Sequence, residues 1–240
     1  MQMQKMLSRV RRCVEDYNMI EAGDKIAVGL SGGKDSLTVL LTLNALSKFY
    51  PKPFSVCAIS LAMSEDASAF DPVVELCSRL EIPYHIVPTD ITCIVFDLRK
   101  EKHPCSLCAN LRRGALNNTA KSLGCNKVAL GHHQDDAVET LLMSLIYEGR
   151  ITCFSPVTYL DRTGITVIRP LLYCEEWMVR SFVKKMELPI VHNPCPANGH
   201  TKRQETKELV QYLSKFQPDI RKKIFGAMQR LPLEGWAVQK

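Results

Sequence analysis

The chain has 240 residues, of which 46% are apolar, 7% aromatic and 23% charged, and its 31 Lys and Arg against 25 Asp and Glu give a formal charge of +6. This composition supplies a full hydrophobic core and excludes a disordered chain. No apolar run reaches the ~20 residues of a membrane-spanning helix, and the N-terminus lacks the apolar core of a signal peptide. We therefore predict a cytoplasmic protein with no membrane contact.

Short β-branched runs alternate with longer segments of helical period, which predicts a parallel sheet covered by helices. The predicted strands lie at 25–30, 54–62, 84–87 and 127–131, with a hairpin or turned strand at 157–160 and 165–169. The predicted helices lie at 3–20, 35–49, from about 71, 104–123, 135–147 and 175–186, followed by one or two basic helices ending near 230. We expect an α/β doubly wound fold with a mostly parallel sheet and helices on both faces. The nucleotide-binding domain is predicted at 1–172 and a helical extension at 173–240.

The most informative segment is the turn after the first strand. We call it the glycine loop, and it consists of Ser31, Gly32, Gly33, Lys34, Asp35 and Ser36. Its glycines permit a tight turn and close approach, and the N–H groups at a helix N-terminus attract anions. It is neither a Walker A nor a G-x-G-x-x-G motif. It predicts a phosphate site, with Asp35 placed to help hold Mg²⁺, and a purely structural turn is the alternative.

A second polar segment follows the fourth predicted strand. It contains Gly131, His132, His133, Asp135 and Asp136, and we call it the histidine motif. Ligands of open α/β sheets lie beyond the carboxyl ends of the strands, so this motif and the glycine loop are expected to face one crevice. In the alternative reading, the aspartates cap a helix and one histidine is a buried, hydrogen-bonded imidazole.

Three of the ten cysteines stand apart. Cys105 and Cys108 form the only C-x-x-C in the chain, and Cys195 lies in a proline-rich segment. A single pair supplies half of a zinc site, a redox dithiol is possible, and three thiolates would leave one iron of a [4Fe–4S] cluster open. From the residues alone, these options and that of inert thiols stay open. The other cysteines are predicted to be reduced structural thiols, with Cys57, Cys77, Cys93 and Cys125 buried in core segments.

Three motifs in order carry a family resemblance that covers roughly residues 5–215. The glycine loop resembles the pyrophosphate (PP) loop of the ATP pyrophosphatases. The histidine motif, continued through Glu139 and Thr140, resembles the second motif of their tRNA-modifying branch. The stretch 104–114 resembles the C-S-L-C-x-x-L-R-R-G stretch of the tRNA 2-thiocytidine synthetases, and Cys195, eight residues before Arg203, matches their third cluster ligand. Pro194 and His192 stand where better-known members have a further cysteine, which leaves the target nucleotide open.

The resemblance implies an ATP-dependent tRNA sulfurtransferase that forms AMP and pyrophosphate. It implies ATP, Mg²⁺ and a [4Fe–4S] cluster on Cys105, Cys108 and Cys195 as cofactors, with Lys34, Asp35 and those cysteines as catalytic residues. It further implies tRNA as partner, a cysteine desulfurase as sulfur source and a homodimer. The alternatives are a cluster-free tRNA modification, such as lysidine synthesis or uridine thiolation, and a non-catalytic RNA-binding or cluster-sensing protein.

Separated basic clusters fit phosphate contacts to a folded RNA, which would make binding sensitive to salt. They consist of Arg9, Arg11, Arg12, Arg99, Lys100, Lys102, Lys202, Arg203, Lys207, Arg221, Lys222 and Lys223. Arg112 and Arg113 are expected to reach either the ATP phosphates or an RNA phosphate. Aromatic residues do not alternate with these basic residues, so the sequence does not predict a base-stacking platform.

Overall fold

The computed structural model describes residues 3–63, 67–99, 104–191, 202–231, 233–236 and 238. The strands are β1 Lys25–Gly29, β2 Ser55–Ala62, β3 Tyr84–Pro88, β4 Lys127–Ala129, β5 Val157–Leu160 and β6 Ile165–Ile168. The helices are α1 Met3–Asp16, α2 Lys34–Ser47, α3 Asp71–Arg79, α4 Pro104–Ser122, α5 Gln134–Met143, α6 Glu176–Lys185, α7 Lys202–Phe216 and α8 Ile220–Arg230. A short 3₁₀ turn spans Ser68–Phe70, and π-helical turns span Cys93–Leu98 and Ser144–Glu148.

The six strands form one sheet in the order β3-β2-β1-β4-β6-β5. All neighbours are parallel except β5 and β6, which form an antiparallel hairpin, one of the two options predicted there. The chain extends outward from β1 in one direction through β2 and β3, and in the other through β4 and β6. The predicted doubly wound, mostly parallel fold is confirmed, and its switch point lies between the carboxyl ends of β1 and β4.

Side chains of β1 alternate between two hydrophobic clusters, as expected for a sheet covered on both faces. Ile26 and Val28 belong to the larger cluster, with α1, α2, α5 and α6, whereas Ala27 belongs to the smaller cluster under α4. Helix α2 is buried over most of its surface. Its two buried threonines are satisfied locally, because Thr38 donates to Lys34 O and Thr42 to Thr38 O, both at 2.7 Å. This packing holds the N-terminus of α2 rigidly at the switch point.

The C-terminal helices pack onto the same layer, with α6 against α2 and both α7 and α8 against α5. Near the end of the chain, Trp236 is fully buried and its indole N–H donates to Phe154 O at 3.1 Å. The division between 172 and 173 stays a prediction. Among the helices described, none combines the length and the apolar character that crossing a membrane requires.

The helix predicted at 135–147 is confirmed, and its last turn, from Ser144, is π-helical. Two local predictions were wrong. The first helix ends at Asp16 rather than at 20, because the chain turns at Asn18, which has a φ of 45°. Cys93 is exposed rather than buried, because it begins a surface π-helical turn from which only Val95 is buried. Cys57, Cys77 and Cys125 are buried as predicted.

Candidate functional site

The glycine loop joins β1 to the buried helix α2. Gly32 has a φ of +75°, a conformation that favours glycine. A Cβ there would also lie 2.5 Å from Cβ of Val191, whose N–H donates to Gly32 O at 3.0 Å. Both the backbone of the loop and its contact with the segment ending at Val191 therefore require glycine.

The two serines of the loop hold its shape. The Ser31 N–H donates to Ser36 Oγ at 3.2 Å, the Gly33 N–H to Ser31 Oγ at 3.3 Å, and the Ser36 hydroxyl to Gly33 O at 3.0 Å. Gly33 is the N-cap of α2, and no side chain caps this helix. Because the first N–H groups of a helix have no partner within it, this N-terminus suits an anion.

The Lys34 ammonium lies between two carboxylates at the mouth of the loop. Its Nζ is 2.8 Å from Asp35 Oδ2 and 3.4 Å from Glu176 Oε1. Burial favours the neutral amine, but the nearby Asp35 and Glu176 carboxylates outweigh it and raise the pKa of Lys34 above its ordinary value. Lys34 is therefore a permanent positive charge beside the anion-binding backbone.

The histidine motif lies directly against the glycine loop. A Cβ on Gly131 would be 2.9 Å from the carbonyl carbon of Asp35 and 3.0 Å from Ser36 N, so only glycine allows this approach. His133 Nε2 lies 3.7 Å from Asp35 Oδ1. The structure thus brings the two predicted motifs together at the carboxyl ends of β1 and β4.

Part of the histidine motif has a structural role. His133 caps α5 in a reciprocal arrangement, in which its N–H donates to Asp136 Oδ2 at 2.9 Å and Asp136 N–H donates to His133 Nδ1 at 3.4 Å. Asp135 accepts the Glu176 N–H at 2.7 Å and pairs with Arg221 Nε at 3.0 Å. Both aspartates are therefore occupied within the protein.

His132 is different from its neighbour. Its ring stacks on Phe154 with centroids 4.7 Å apart, and its Nδ1 is buried without a hydrogen-bond partner in the part of the chain that the structure describes. Burial, with a smaller effect of the Arg169 guanidinium, lowers the pKa of His132 to about 3. This imidazole is therefore neutral at physiological pH, beside the glycine loop.

Cys105 and Cys108 lie in the first turn of α4, three residues apart and so on one face. Cys105 is exposed and Cys108 is half-buried. Cys195 lies outside the described residues, as do Lys100 and Lys102. Within the described ranges, no group of three or more His, Cys, Asp or Glu side chains is arranged to hold a metal ion. Val191, whose N–H donates to Gly32 of the glycine loop, is the last described residue before this segment and lies four positions before Cys195 in the sequence.

Several basic residues expected to meet RNA are engaged inside the protein. Arg203 lies 3.6 Å from Asp136 and 3.7 Å from Glu139, and Lys207 lies 2.8 Å from Glu176. Together with the Arg221–Asp135 pair, these contacts dock α7 and α8 on the acidic start of α5 and α6.

Comparison with known proteins identifies the family. A family model described as a PP-loop domain matches residues 3–210. The chain is 39% identical, over 93% of its length and 78% of the relative's, to the tRNA-cytidine(32) 2-sulfurtransferase of Dechloromonas aromatica. It is 40% identical to the enzyme of that name from Pelobacter propionicus, over 92% and 84% of the two chains. The chain belongs to the PP-loop family of tRNA 2-thiocytidine synthetases.

Solved structures share the fold of this chain. The U34-tRNA thiolase NcsA from Methanococcus maripaludis, with its [4Fe–4S] cluster, is 27% identical and matches with a TM-score of 0.78, over 95% of this chain and 77% of that one. The NH3-dependent NAD synthetase of Campylobacter jejuni, 18% identical with a TM-score of 0.50 over 96% and 94% of the chains, shares the fold.

The sequence motifs of this synthetase family did not reveal one acidic residue of the site, Glu176, which contacts Lys34. Glu139 stands within the second motif of the tRNA-modifying branch and is buried in α5, where burial and then the neighbouring Asp136 raise its pKa to about 7. Glu176 stands in no such motif. Its proximity to Lys34 results from the packing of α6 against α2, which local sequence does not encode.

Proposed function

We propose that this protein is an ATP-dependent tRNA sulfurtransferase that activates the C2 carbonyl of a cytidine and replaces its oxygen with sulfur. The observation that carries the proposal is the backbone contact of Gly131 with Asp35 and Ser36, which joins an anion-binding loop to the histidine motif at one sheet edge. Relatives named tRNA-cytidine(32) 2-sulfurtransferase support cytidine, in the anticodon loop, as the target.

In this function the glycine loop binds the phosphates of ATP. The uncapped N-terminus of α2 faces the β- and γ-phosphates, and Lys34 neutralises the charge that develops on the departing pyrophosphate. Ser31 and Ser36 keep the loop in its binding shape. Asp35, whose carboxylate also pairs with Lys34, would hold Mg²⁺, which would neutralise phosphate charge there.

The reaction takes place in two displacements. The C2 oxygen of the pyrimidine attacks the α-phosphorus, the bond to the β-phosphate oxygen breaks, and pyrophosphate leaves. A sulfide nucleophile then attacks C2, the C2–O bond breaks, and AMP leaves with that oxygen, so that a C2 thiocarbonyl remains. The protein contributes by holding the base, ATP and sulfur in one crevice and by stabilising the developing negative charge. His132, Gly131, His133 and Asp136 border the crevice beside the nucleotide.

Cys105, Cys108 and Cys195 are the proposed ligands of a [4Fe–4S] cluster. The exposed and half-buried thiols of the first turn of α4 suit such a ligand pair, because they lie on one helix face and are not sealed in the core. The cluster in the NcsA structure supports the same assignment. With three thiolates as its only protein ligands, such a cluster would have one iron open to supply sulfur to the base.

The partners follow from this chemistry. The substrate is tRNA, and a cysteine desulfurase is the proposed sulfur source. A cytoplasmic homodimer is the proposed form of the enzyme.

The test is nucleoside mass spectrometry of tRNA incubated anaerobically with the reconstituted protein, ATP and sulfide. We expect 2-thiocytidine that depends on ATP and is lost in Cys105→Ser. Cys93→Ser, which removes another exposed thiol, is the matched control and should retain the product. Thiouridine would move the target to a uridine, whereas a product that survives Cys105→Ser would favour a cluster-free modification such as lysidine formation.

A further inference from the structure

Glu176 connects the glycine loop to α7. One carboxylate oxygen, Oε1, lies 3.4 Å from Lys34 Nζ and accepts from Arg180 Nη2 at 2.9 Å, while the other, Oε2, accepts from Lys207 Nζ at 2.8 Å. The side chain is only 14% exposed. Burial raises its pKa, but the hydrogen bonds from Lys207 and Arg180 outweigh this and lower the pKa to about 2. Glu176 is therefore an ionised carboxylate shared by the ATP loop and the C-terminal helices.

The backbone of Glu176 is fixed from the opposite side. Its N–H donates to Asp135 Oδ2 at 2.7 Å, and the other oxygen of Asp135 pairs with Arg221 of α8. As the first residue of α6, Glu176 is thus held at its backbone by the histidine motif, while Arg180 and Lys207 hold its carboxylate.

Lys34 must exchange a partner when a phosphate arrives. An ammonium has three N–H donors, and in the structure its neighbours are the two oxygens of Asp35, at 2.8 and 3.1 Å, and Glu176 at 3.4 Å. The contact with Glu176 is the longest of the three and is the one a phosphate oxygen replaces most easily. When it is replaced, Glu176 keeps Lys207 and Arg180 as partners.

We propose that Glu176 is a positioning residue for Lys34 and that, through Lys207, it couples nucleotide binding at the glycine loop to the docking of α7. The inference rests on the proposed function in taking a nucleotide as the ligand of the loop. α7 begins seven residues after Cys195, so the coupling links the ATP site to the helix that follows the third predicted cluster ligand. Since such coupling is reciprocal, a docked α7 strengthens nucleotide binding as much as the nucleotide strengthens docking.

The direction of each effect follows from charge. Without Lys207, the Glu176 carboxylate keeps only Arg180 besides Lys34, so it attracts Lys34 more strongly and competes harder with phosphate. Without the negative charge of Glu176, Lys34 interacts more strongly with phosphate. Lys207 then has no effect on Lys34, because it acts on Lys34 only through Glu176. If the loss of Lys207 acted only through the overall charge of the protein, it would change nucleotide affinity by the same factor with Glu176 present and with Glu176 replaced.

The first experiment is calorimetric titration of the full-length protein with α,β-methylene ATP. We expect Glu176→Gln to tighten binding roughly three- to tenfold, Lys207→Met to weaken it by a similar factor, and the double variant to match Glu176→Gln alone. Glu175→Gln and Lys184→Met change neighbouring charges on the same segment and should stay within about twofold of wild type. An equal effect of Lys207→Met in both backgrounds would overturn the coupling.

A second readout needs no nucleotide. The rate at which acetic anhydride acylates Lys34, followed by mass spectrometry, reports how strongly its ammonium is held, because only the neutral amine reacts. We expect faster acylation in Glu176→Gln, slower acylation in Lys207→Met, and an unchanged rate in Glu175→Gln. Unchanged rates in both test variants would overturn the positioning role. The acylation rates could follow the expected order in a protein that does not bind α,β-methylene ATP. That result would contradict the proposed function and leave the positioning role standing.

Discussion

At the level of single residues, the two glycines of the glycine loop are constrained differently. Gly32 has a positive φ and no room for a Cβ beside Val191, whereas Gly33 has a φ of −76° and its Cβ would meet only Ser31 Oγ at 3.3 Å. We predict that Gly32→Ala lowers stability by about 1–3 kcal/mol. Gly33→Ala should fold normally but lose roughly tenfold or more in ATP affinity, because its methyl group occupies the approach of the phosphate. Thermal denaturation and calorimetry test this pair, and wild-type ATP binding by Gly33→Ala would contradict the assignment of the loop.

Glu139 gives a pH-dependent prediction. Burial, followed by the charge of Asp136, raises its pKa from 4.5 to about 7. The folded protein therefore binds this proton more tightly than the unfolded chain, and stability is lost as the pH rises from about 4.5 through 7. Urea denaturation across this range should show wild type losing stability relative to Glu139→Gln, with a constant difference above pH 7. Glu175→Gln should show no such trend, and a pH-independent effect of Glu139→Gln would contradict the raised pKa.

At the level of elements, the two ends of α4 have different roles: the C-terminal half packs on the sheet, and the N-terminal end carries the cysteine pair. Leu116 is buried, and its side chain fills the space above Gly29, where a Cβ would lie 2.7 Å from Leu116 Cδ2. We predict that Leu116→Ala lowers the free energy of unfolding by about 2–4 kcal/mol, because it leaves a cavity at this contact. Cys105→Ser, on the exposed first turn, should change the stability of the apoprotein by less than about 0.5 kcal/mol while reducing the iron bound after reconstitution. Urea denaturation and iron analysis test both, and iron binding equal to wild type would remove Cys105 as a ligand.

How well each feature could be predicted depends on whether it is set by local sequence or by packing between distant parts of the chain. The strands and the glycine loop carry local patterns, so β1, α2 and the β5–β6 hairpin were found within a few residues. The end of α1 depends on the left-handed turn at Asn18, a residue type that favours this conformation but also occurs within helices. The exposure of Cys93 depends on where its π-helical turn lies, which has no local signal. The pairing of Lys34 with Glu176 is set by tertiary packing over 142 residues of sequence.

At the level of the whole molecule, the count of 31 Lys and Arg overstates the basic groups available to RNA, because Arg203, Lys207 and Arg221 are paired with acidic residues. We predict that tRNA affinity falls as salt rises. Arg112→Met, beside the cysteine pair, should reduce the slope of log affinity against log salt by about one. Lys52→Met, at the opposite end of the sheet where it pairs with Glu21, is the control and should leave the slope unchanged. A tRNA affinity independent of salt would contradict phosphate contacts.

The central claim is that the C2 oxygen of the target cytidine is activated by ATP bound at the glycine loop. The most direct measurement uses tRNA carrying ¹⁸O at C2 of that cytidine and analyses the AMP released during thiolation by mass spectrometry. We predict one ¹⁸O in the phosphate of each AMP formed per thiolated cytidine, because the C2–O bond is the one that breaks. Unlabelled AMP alongside thiolated product would contradict it.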